Sequence, residues 1–400
     1  MKKRSYKFSK TKWIIFASVC VLVLASLPFS SWIERKIYDT VGADVYYNYQ
    51  TALSQECVVH ILNVGSADCI ILELPDGTKG IIDSGSCYTT SREHIIDYIQ
   101  EYIFEAETGV FDFMILTHSD ADHIGGVSQI LDAFQVNKIY RPTIFYYKSG
   151  TSDSEELAMN ESELTRAKSE DFIDESATSF PSATITTEKT ATYFNCITSI
   201  YEEPNCSVEY TSEDIIIQDE EADYEMRFYS PYKLKYADAN DYSPVIILSY
   251  NNHSIALVGD AQEEVETYLV ENYDLPQVDA LKVGHHGDED SSTTAFLSEL
   301  SPTYAFISVS SNDSHGNPDE VTLQRLQDSG ISENHILQTG LNGDILFAIG
   351  EAGIYVSASG SLTVEFFEWW FICVVIIGTT ATLLFVINNK SQKKNKVKLK

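Results

Sequence analysis

The sequence predicts an α/β protein in which two mixed β-sheets pack face to face with helices outside, a four-layer sandwich flanked by two transmembrane helices. Strand-like segments occur in two blocks, and segments with helical periodicity follow each block, which is the pattern of such a sandwich. One long apolar run near each end of the 400-residue chain predicts the flanking helices. With 44% hydrophobic and 12% aromatic residues, the chain can also bury a large core.

The two apolar runs cover residues 13–33 and 366–387, and each is about long enough to cross the roughly 30 Å hydrocarbon core as a helix. Residues 1–12 and 388–400 are basic and contain no acidic residue. The positive-inside rule therefore predicts two cytoplasmic tails and a two-pass protein of the cell membrane, in contact with the lipid bilayer. A cleaved signal peptide is the alternative for the first run, and it also exports the domain predicted at residues 55–360.

The chain is strongly acidic, with a formal net charge of −32 at pH 7, and the basic tails leave the part between them more acidic still. Such a surface repels nucleic acid and other polyanions unless bound cations offset the charge locally. The seven cysteines do not form the pattern of a disulfide framework. Cys196 and Cys206 are the pair that could form an exported disulfide, and two free thiols are the alternative.

The first block combines strands that alternate apolar and polar residues with two helical segments. Its predicted strands are at residues 57–62, 69–74, 80–83, 111–116 and 138–140, with a hairpin turn at 75–77. Its predicted helices are at 92–104 and 127–134. Residues 148–192 are rich in Ser, Thr, Asp and Glu, and they are interpreted as an acidic insertion that is helical in part.

The second block begins with strands and continues as an alternation of helix and strand, which is typical of parallel pairing. Its predicted strands are at residues 215–217, 225–229, 245–250, 254–258, 280–283, 304–309, 344–348 and 353–356. Its predicted helices are at 263–271, 293–300 and 320–328.

The most informative segment is residues 117–126, Thr-His-Ser-Asp-Ala-Asp-His-Ile-Gly-Gly. Its candidate ligands are His118, Asp120, Asp122 and His123. They lie on a turn between a buried strand and a helix, where the side chains can converge on one point. Imidazole and carboxylate groups at this density are the ligands of hard or borderline divalent cations. A solvated acidic loop with two histidines is the alternative, but the density of ligand types favours a metal site.

Other strand ends carry residues of the same types. Asp83 ends the strand at 80–83 and either caps a turn or supports the site. Asp260 follows the strand at 254–258 and either caps the next helix or bridges two cations. Of the adjacent His285 and His286, at least one is predicted to be a ligand. The polar loop after the strand at 304–309 contains three possible substrate contacts, Asn312, His315 and Asn317, and a plain loop is the alternative. Asn240 is a fourth possible substrate contact.

The order of these segments resembles the metallo-β-lactamase superfamily, and more narrowly the hydrolase domain of ComEC-type DNA-uptake proteins. The resemblance spans about residues 57–357. The motifs that carry it are Asn-Val-Gly-Ser-Ala-Asp at 63–68, Ile-Asp-Ser-Gly at 82–85, the segment 118–126, Gly-Asp at 259–260 and Lys-Val-Gly-His-His-Gly at 282–287. The third histidine of the family's first cation site has no counterpart, and Asn240 or a nearby polar residue would take its place.

The resemblance implies a centre of two divalent cations, Mn²⁺ or Zn²⁺. The first cation would be held by His118, Asp120 and the bridging Asp260. The second would be held by Asp122, His123, Asp260 and either His285 or His286. Asp83 would orient the ligands from behind. All these side chains are therefore expected to meet in space.

The resemblance also implies the reaction, a metal-dependent hydrolysis of phosphodiesters, with nucleic acid as a candidate substrate. Asp122 and Asp260 would be the catalytic carboxylates that orient the attacking water. Two alternatives stay open. One is the hydrolysis of a phosphoester in an envelope polymer, such as a teichoic-acid substituent. The other is a catalytically silent scaffold or binding protein that has lost one cation.

Overall fold

The structure is a computed structural model that describes residues 49–142, 144, 187–211, 215–230, 233, 236–350 and 353–359. Within these ranges, no helix combines the length and the apolarity that a membrane crossing requires. Both predicted transmembrane segments, both basic tails and most of the predicted acidic insertion lie outside the described residues.

The first half of the described chain contains eight strands, five helices and a π-helical turn. Helix α1 (Tyr49–Leu53) precedes strands β1 (Cys57–Ile61), β2 (Ile70–Glu73) and β3 (Lys79–Ile82). Helix α2 (Thr89–Tyr98) continues as the π-helical turn Ile99–Ile103. The remaining elements are β4 (Val110–Phe111), β5 (Phe113–Ile115), α3 (Ala121–Ile124), α4 (Val127–Ala133), β6 (Gln135–Val136), β7 (Lys138–Arg141), α5 (Thr187–Glu202) and β8 (Ser207–Tyr210).

The second half repeats the progression from antiparallel strands to alternating helix and strand. Its antiparallel strands are β9 (Ile216–Asp219), β10 (Tyr224–Tyr229), β11 (Val245–Tyr250) and β12 (His253–Leu257). The alternating part is α6 (Glu263–Asn272), β13 (Ala280–Lys282), α7 (Thr294–Leu300), β14 (Tyr304–Ile307), α8 (Glu320–Asp328), β15 (Ile336–Gln338) and α9 (Thr339–Asn342). Strands β16 (Ile345–Gly350) and β17 (Gly353–Ala358) come last.

The strands form two large mixed sheets. In each sheet, the strands at one end of the order run parallel to one another. Among the described strands, the first sheet has the order β17-β16-β1-β2-β3-β5-β7-β8 and the second has the order β15-β14-β13-β12-β11-β10-β9. Strands β3, β5, β7 and β8 are mutually parallel, as are β12 to β15, while the other pairs are antiparallel. Strands β4 and β6 form a small separate parallel pair.

Apolar side chains form the layers that hold the sheets and helices together. Alternate residues of β1, such as Val59, point into the layer between the sheets and meet residues of the second sheet such as Leu248. Ile95 of α2 and other helix residues cover the outer face of the first sheet. Phe296 of α7 belongs to the layer that covers the outer face of the second. The predicted four-layer sandwich is therefore confirmed.

Most predicted strands lie within a few residues of the observed ones, and the differences occur where sequence signals are weak. Helix α5 begins at Thr187, inside the region interpreted as an acidic insertion, and strands β6, β8 and β15 were not predicted. Helix α2 begins at Thr89 rather than at residue 92. Cys196 and Cys206 are both free thiols, and Cys196 is buried on α5, so the alternative of two free thiols applies.

Candidate metal centre

The candidate ligands lie in loops that follow the carboxyl ends of parallel strands. Asp83 follows β3, and the segment 117–123 follows β5, both in the first sheet. Asp260 follows β12 and His286 follows β13, both in the second sheet. Because the carboxyl ends of parallel strands meet at one edge of a sheet, the fold brings these loops together between the two sheets.

Three histidines face one carboxylate. Oδ2 of Asp260 lies 3.1 Å from Nε2 of His123, 3.4 Å from Nε2 of His286 and 4.0 Å from Nε2 of His118. Oδ2 of Asp122 lies 3.3 Å from Nε2 of His286 and 4.0 Å from Nε2 of His123. The structure thus brings together the distant segments that the sequence analysis expected to meet.

These atoms form two overlapping groups of the size of a cation site. His118, His123 and Asp260 form the first group, and Asp122, His123 and His286 form the second. In each group, ligand atoms of the three residues lie within 4.8 Å of one another. The roles of these residues as metal ligands stay predictions.

Hydrogen bonds on the far side of each ring turn the Nε2 atoms toward the centre. Nδ1 of His286 lies 2.7 Å from the carbonyl oxygen of Ser308 and must donate to it, since a carbonyl only accepts. Nδ1 of His123 lies 2.7 Å from Oδ2 of Asp83. In both residues Nε2 is therefore the nitrogen that can face a cation.

The tautomer of His118 is set through a hydroxyl group. Oγ1 of Thr117 donates to Oδ2 of Asp83 at 2.7 Å, so it has no second proton for Nδ1 of His118, which lies 3.1 Å away. That nitrogen therefore donates to Thr117 and leaves Nε2 as the acceptor. Ser243 adds a second contact, 3.3 Å from the same nitrogen, and also accepts the backbone N–H of Asp260 at 3.2 Å. Asp83 lies behind both histidines, in a left-handed conformation with φ 57° that aspartate tolerates.

The buried polar atoms fit the implied cations. In the described part of the chain, Nε2 of His118, Nε2 of His286 and Oδ1 of Asp260 are buried without a hydrogen-bond partner. Leaving such atoms unpaired costs free energy, and a divalent cation supplies the missing partner. Imidazole nitrogens and carboxylate oxygens are ligands that both Zn²⁺ and Mn²⁺ accept.

Burial and neighbouring carboxylates shift the pKa values of the histidines in this cluster. Burial lowers the pKa of His118, and the neighbouring His123 lowers it further. Burial also acts to lower the pKa of His123, but Asp260 and Asp83 outweigh it. For His286, Asp260 and Asp122 outweigh the same effect of burial. The pKa of His123 is raised well above its usual value and that of His286 to about 10. Cation binding here must therefore displace protons.

The two adjacent histidines point to different surroundings. His286 faces Asp260 and Asp122, whereas Nδ1 of His285 lies 2.9 Å from Oδ1 of Asp290. Nε2 of His285 lies 3.2 Å from Nδ2 of Asn240. Both backbones are left-handed, with φ 46° at His285 and 53° at His286, which separates the directions of the rings. Asn240, which the sequence analysis offered for the missing third histidine, is thus in contact with His285.

Asp120 occupies the N-cap position of α3, where its carbonyl accepts the N–H groups of His123 and Ile124 at 3.0 Å. Asp120 lies close enough to His118 to act to raise the pKa of that histidine, whereas burial, the larger effect, lowers it.

The possible substrate residues lie on the loop that borders the turn of His286. Oδ2 of Asp313 accepts the backbone N–H groups of His315 at 2.8 Å and of Asn317 at 3.0 Å. The side chain of His315 is 81% exposed, and Asn312 is exposed as well. The following Pro318 packs against Gly287 so closely that a Cβ at Gly287 would lie 2.6 Å from it. Substrate contact by this loop stays a prediction.

The sequence analysis missed polar residues that support the ligands. Thr117 and Ser243 contact His118 through their hydroxyl groups, and Ser308 contacts His286 through its backbone carbonyl. Neither a lone hydroxyl nor a backbone carbonyl carries a sequence signal of such a role. Asp68 and Lys282 form a buried ion pair beside the centre. The sequence did carry a signal for these two residues, because Asp68 ends the motif at 63–68 and Lys282 begins the motif at 282–287.

Comparisons with known proteins agree with the fold and with the order of the motifs. The family model of the metallo-beta-lactamase superfamily matches residues 62–311. The chain is 24% identical over 306 residues to ComE operon protein 3 of Bacillus subtilis (strain 168), covering 74% of this chain and 33% of that protein. It is 31% identical over 133 residues to competence protein ComA of Neisseria gonorrhoeae, covering 32% of this chain and 18% of that protein. The chain thus spans a third or less of the length of these relatives.

Two solved structures show low-level similarity. Zn²⁺-bound PqqB from Methylobacterium extorquens is 8% identical with a TM-score of 0.37, covering 70% of this chain and 97% of that one. CmlA, a diiron β-hydroxylase from Streptomyces venezuelae, is 9% identical with a TM-score of 0.37, covering 71% of this chain and 53% of that one. Because the family model matches more than half of its residues, the chain belongs to the metallo-beta-lactamase superfamily and is related to the competence proteins named above.

Proposed function

We propose that this chain is a membrane-anchored, extracellular, metal-dependent hydrolase of phosphodiesters. The observation that carries the proposal is the convergence of His118, His123 and His286 on the carboxylate of Asp260. These residues come from both sheets, and buried atoms among them have no partner within the described protein. Membrane anchoring and export rest on the apolar runs and basic tails of the sequence.

Two divalent cations, Mn²⁺ or Zn²⁺, would supply Lewis acidity and neutralise the charge that develops on the phosphoryl oxygens. The protein's own contribution is to hold and orient. The side chain of Asp260 is 3% exposed and lies between the histidines, so it fixes the middle of the centre. The side chain of Asp122 is 37% exposed, so solvent reaches the centre past this carboxylate. Asp122 is therefore the group best placed to accept a hydrogen bond from the attacking water.

The proposal is tested with Asp122→Ala and Asp260→Ala variants of the full-length chain, assayed on bis-p-nitrophenyl phosphate with Mn²⁺ and with Zn²⁺. Each substitution is expected to lower kcat/KM by more than about a hundred-fold, since replacing outer partners of a metal already costs up to that much. Asp132→Ala, which removes an exposed carboxylate from α4, is the matched control and retains activity. Full activity of the Asp260→Ala variant would contradict the proposal. Fewer than one bound cation per wild-type chain would favour the scaffold alternative.

The arrangement of basic side chains favours a second candidate function, the hydrolysis of a small or cation-bearing phosphoester of the cell envelope. Proteins that bind nucleic acid use lysines and arginines that are free to contact phosphates. Within the described ranges, most such side chains are already engaged with carboxylates. These pairs are Lys79 with Glu73, Lys138 with Glu209, Arg227 with Glu225, Lys233 with Glu264 and Lys282 with Asp68.

The two candidate functions predict different substrate preferences. If the substrate is a zwitterionic envelope phosphoester, kcat/KM for p-nitrophenyl phosphorylcholine should exceed that for a single-stranded DNA oligonucleotide at physiological salt. Any DNA cleavage should also fall steeply as salt rises, because binding of DNA depends on displaced counterions. Faster cleavage of DNA at physiological salt would remove the envelope alternative.

A further inference from the structure

A buried ion pair joins the two sheets beside the metal centre. Lys282 is the last residue of β13 in the second sheet, and Asp68 lies in the loop between β1 and β2 of the first. Nζ of Lys282 lies 2.9 Å from Oδ2 of Asp68, and the two side chains are 0% and 1% exposed. The pair therefore links the sheet that carries Asp122 and His123 to the sheet that carries His286.

Asp68 is also fastened to the loops that carry the ligands of the first sheet. Its backbone N–H donates to the carbonyl oxygen of Asp122 at 3.2 Å, and its carbonyl accepts the N–H of Gly85, two residues after Asp83, at 2.7 Å. A shift of Asp68 would therefore strain a hydrogen bond that holds the backbone of Asp122.

The same pair reaches the ligand of the second sheet. Oδ1 of Asp68 lies 3.9 Å from Nδ1 of His286 and has no hydrogen-bond partner in the described structure. Nζ of Lys282 also donates to the carbonyl oxygen of Val283 at 2.9 Å, directly before the turn Gly284–Gly287 that presents His286. Each partner of the pair is thus tied to one half of the centre.

Stability of the fold does not explain such a pair. Burying two charges costs about as much desolvation as their attraction returns, and apolar residues of similar size often stabilise a core equally well. An ion pair differs from an apolar contact because it fixes both a distance and a direction. We propose that Asp68 and Lys282 form a positioning pair that sets the spacing between the two halves of the metal centre. The pair thereby strengthens the binding of the cation held by Asp122, His123 and His286.

This inference rests on the metal-binding part of the proposed function, and neutral variants of nearly the same shape test it. The full-length chain is prepared as Lys282→Met, as Asp68→Leu and as the double variant, in which both buried charges are replaced by apolar side chains. Without added cations, each single variant should unfold at a lower temperature than the wild type, because one buried partner is left unpaired. The double variant should recover most of that loss.

The binding of cations separates positioning from folding. In calorimetric titrations with Mn²⁺, the double variant should bind the cation held by Asp122, His123 and His286 about ten- to a hundred-fold less tightly than the wild type. Its Co²⁺-loaded form should show a changed visible absorption spectrum, which reports the ligand geometry. The control is Lys138→Met with Glu209→Gln, which removes an exposed pair between β7 and β8 and should change neither affinity nor spectrum.

Three results would overturn the inference, and they point to different causes. A double variant with wild-type Mn²⁺ affinity and Co²⁺ spectrum would show that the pair does not position the ligands. A double variant as unstable as the single variants would show that the pair serves the fold itself. A wild-type chain that binds neither Mn²⁺ nor Zn²⁺ would overturn the proposed function and this inference together.

Discussion

A single buried carboxylate orients two of the candidate ligands. Asp83 contacts Nδ1 of His123 directly and reaches His118 through the hydroxyl group of Thr117. Because the hydroxyl gives its proton to Asp83, it can only accept from His118. Asp83 was singled out from its place after a strand, whereas the role of Thr117 depends on the direction of one O–H bond, which no sequence pattern encodes.

Replacing Thr117 by valine removes the hydroxyl at nearly constant shape. We expect Thr117→Val to weaken Mn²⁺ binding by about ten-fold or more, as for other residues that orient metal ligands, because Nδ1 of His118 loses the acceptor that fixes its tautomer. Titration calorimetry measures the effect. Thr117→Ser retains the hydroxyl and should bind nearly as the wild type does, while a valine variant with unchanged affinity would show that Ser243 alone suffices.

Elements with a clear apolar period could be predicted, and those defined by distant partners could not. Strand β16 was predicted from its own alternation, but its pairing with β1 is invisible in the sequence. Strand β8 is half exposed and has little apolar alternation. Helix α5 did carry a signal, since Tyr193, Cys196, Ile197 and Ile200 are buried at helical spacing, but the polar composition before it obscured that signal.

The same distinction applies to the candidate site. The ligand types and their places after strands were readable in the sequence, because the parallel part of each sheet brings such loops together. Which of His285 and His286 faces the centre could not be read from the sequence, because it depends on the left-handed backbone of both residues. The partners that fix each ring come from other elements, such as Ser308 after β14.

One contact between elements makes stability depend on pH. Oδ1 of Asp344, directly before β16, accepts from Nε2 of His94 on α2 at 2.8 Å and from the N–H of Asn63 after β1 at 2.8 Å. The hydrogen bond to Asp344 raises the pKa of His94. Burial alone would raise the pKa of Asp344, but the hydrogen bonds from His94 and Asn63 together outweigh it, so the pKa is lowered.

The contribution of His94 to stability is fully present below its unfolded pKa of about 6.5 and is lost as pH rises through its higher folded pKa. The contribution of Asp344 to stability is fully present above its unfolded pKa of about 3.9. It is lost as pH falls through its lower folded pKa. We therefore expect the free energy of unfolding of the wild type to exceed that of His94→Gln most between about pH 4 and 6.5. The difference should stay below about 1 kcal/mol, since the pair is partly exposed. Urea unfolding across pH 4–9 checks this, and a difference that grows above pH 7 would contradict it.

At the scale of the whole molecule, the candidate centre takes ligands from both sheets. His118, Asp122 and His123 lie in the segment that follows β5 of the first sheet, and Asp260 and His286 follow β12 and β13 of the second. A cation bound here would cross-link the two halves of the sandwich in the native state. Such a link cannot form in the unfolded chain, where these segments are far apart.

Cation binding should therefore stabilise the whole domain. We expect Mn²⁺ at about a hundred times its Kd to raise the free energy of unfolding by about 2.7 kcal/mol for each site, and thermal unfolding at increasing Mn²⁺ concentration measures this. Asp260→Asn should lose most of the gain, because Asp260 faces all three histidines. A melting temperature that does not respond to Mn²⁺ in the wild type would contradict the two-sheet centre.

The pairing of β1 with β16 has a consequence for synthesis. Cys57, near the beginning of the described residues, lies opposite Ile349, near their end. A chain that emerges from a ribosome or a translocation channel amino end first presents β1 long before β16 arrives. During that interval one edge of an apolar strand lacks its neighbour and can pair with other polypeptides. We therefore expect stalled or prematurely released chains that end before residue 345 to aggregate more readily than the full-length chain.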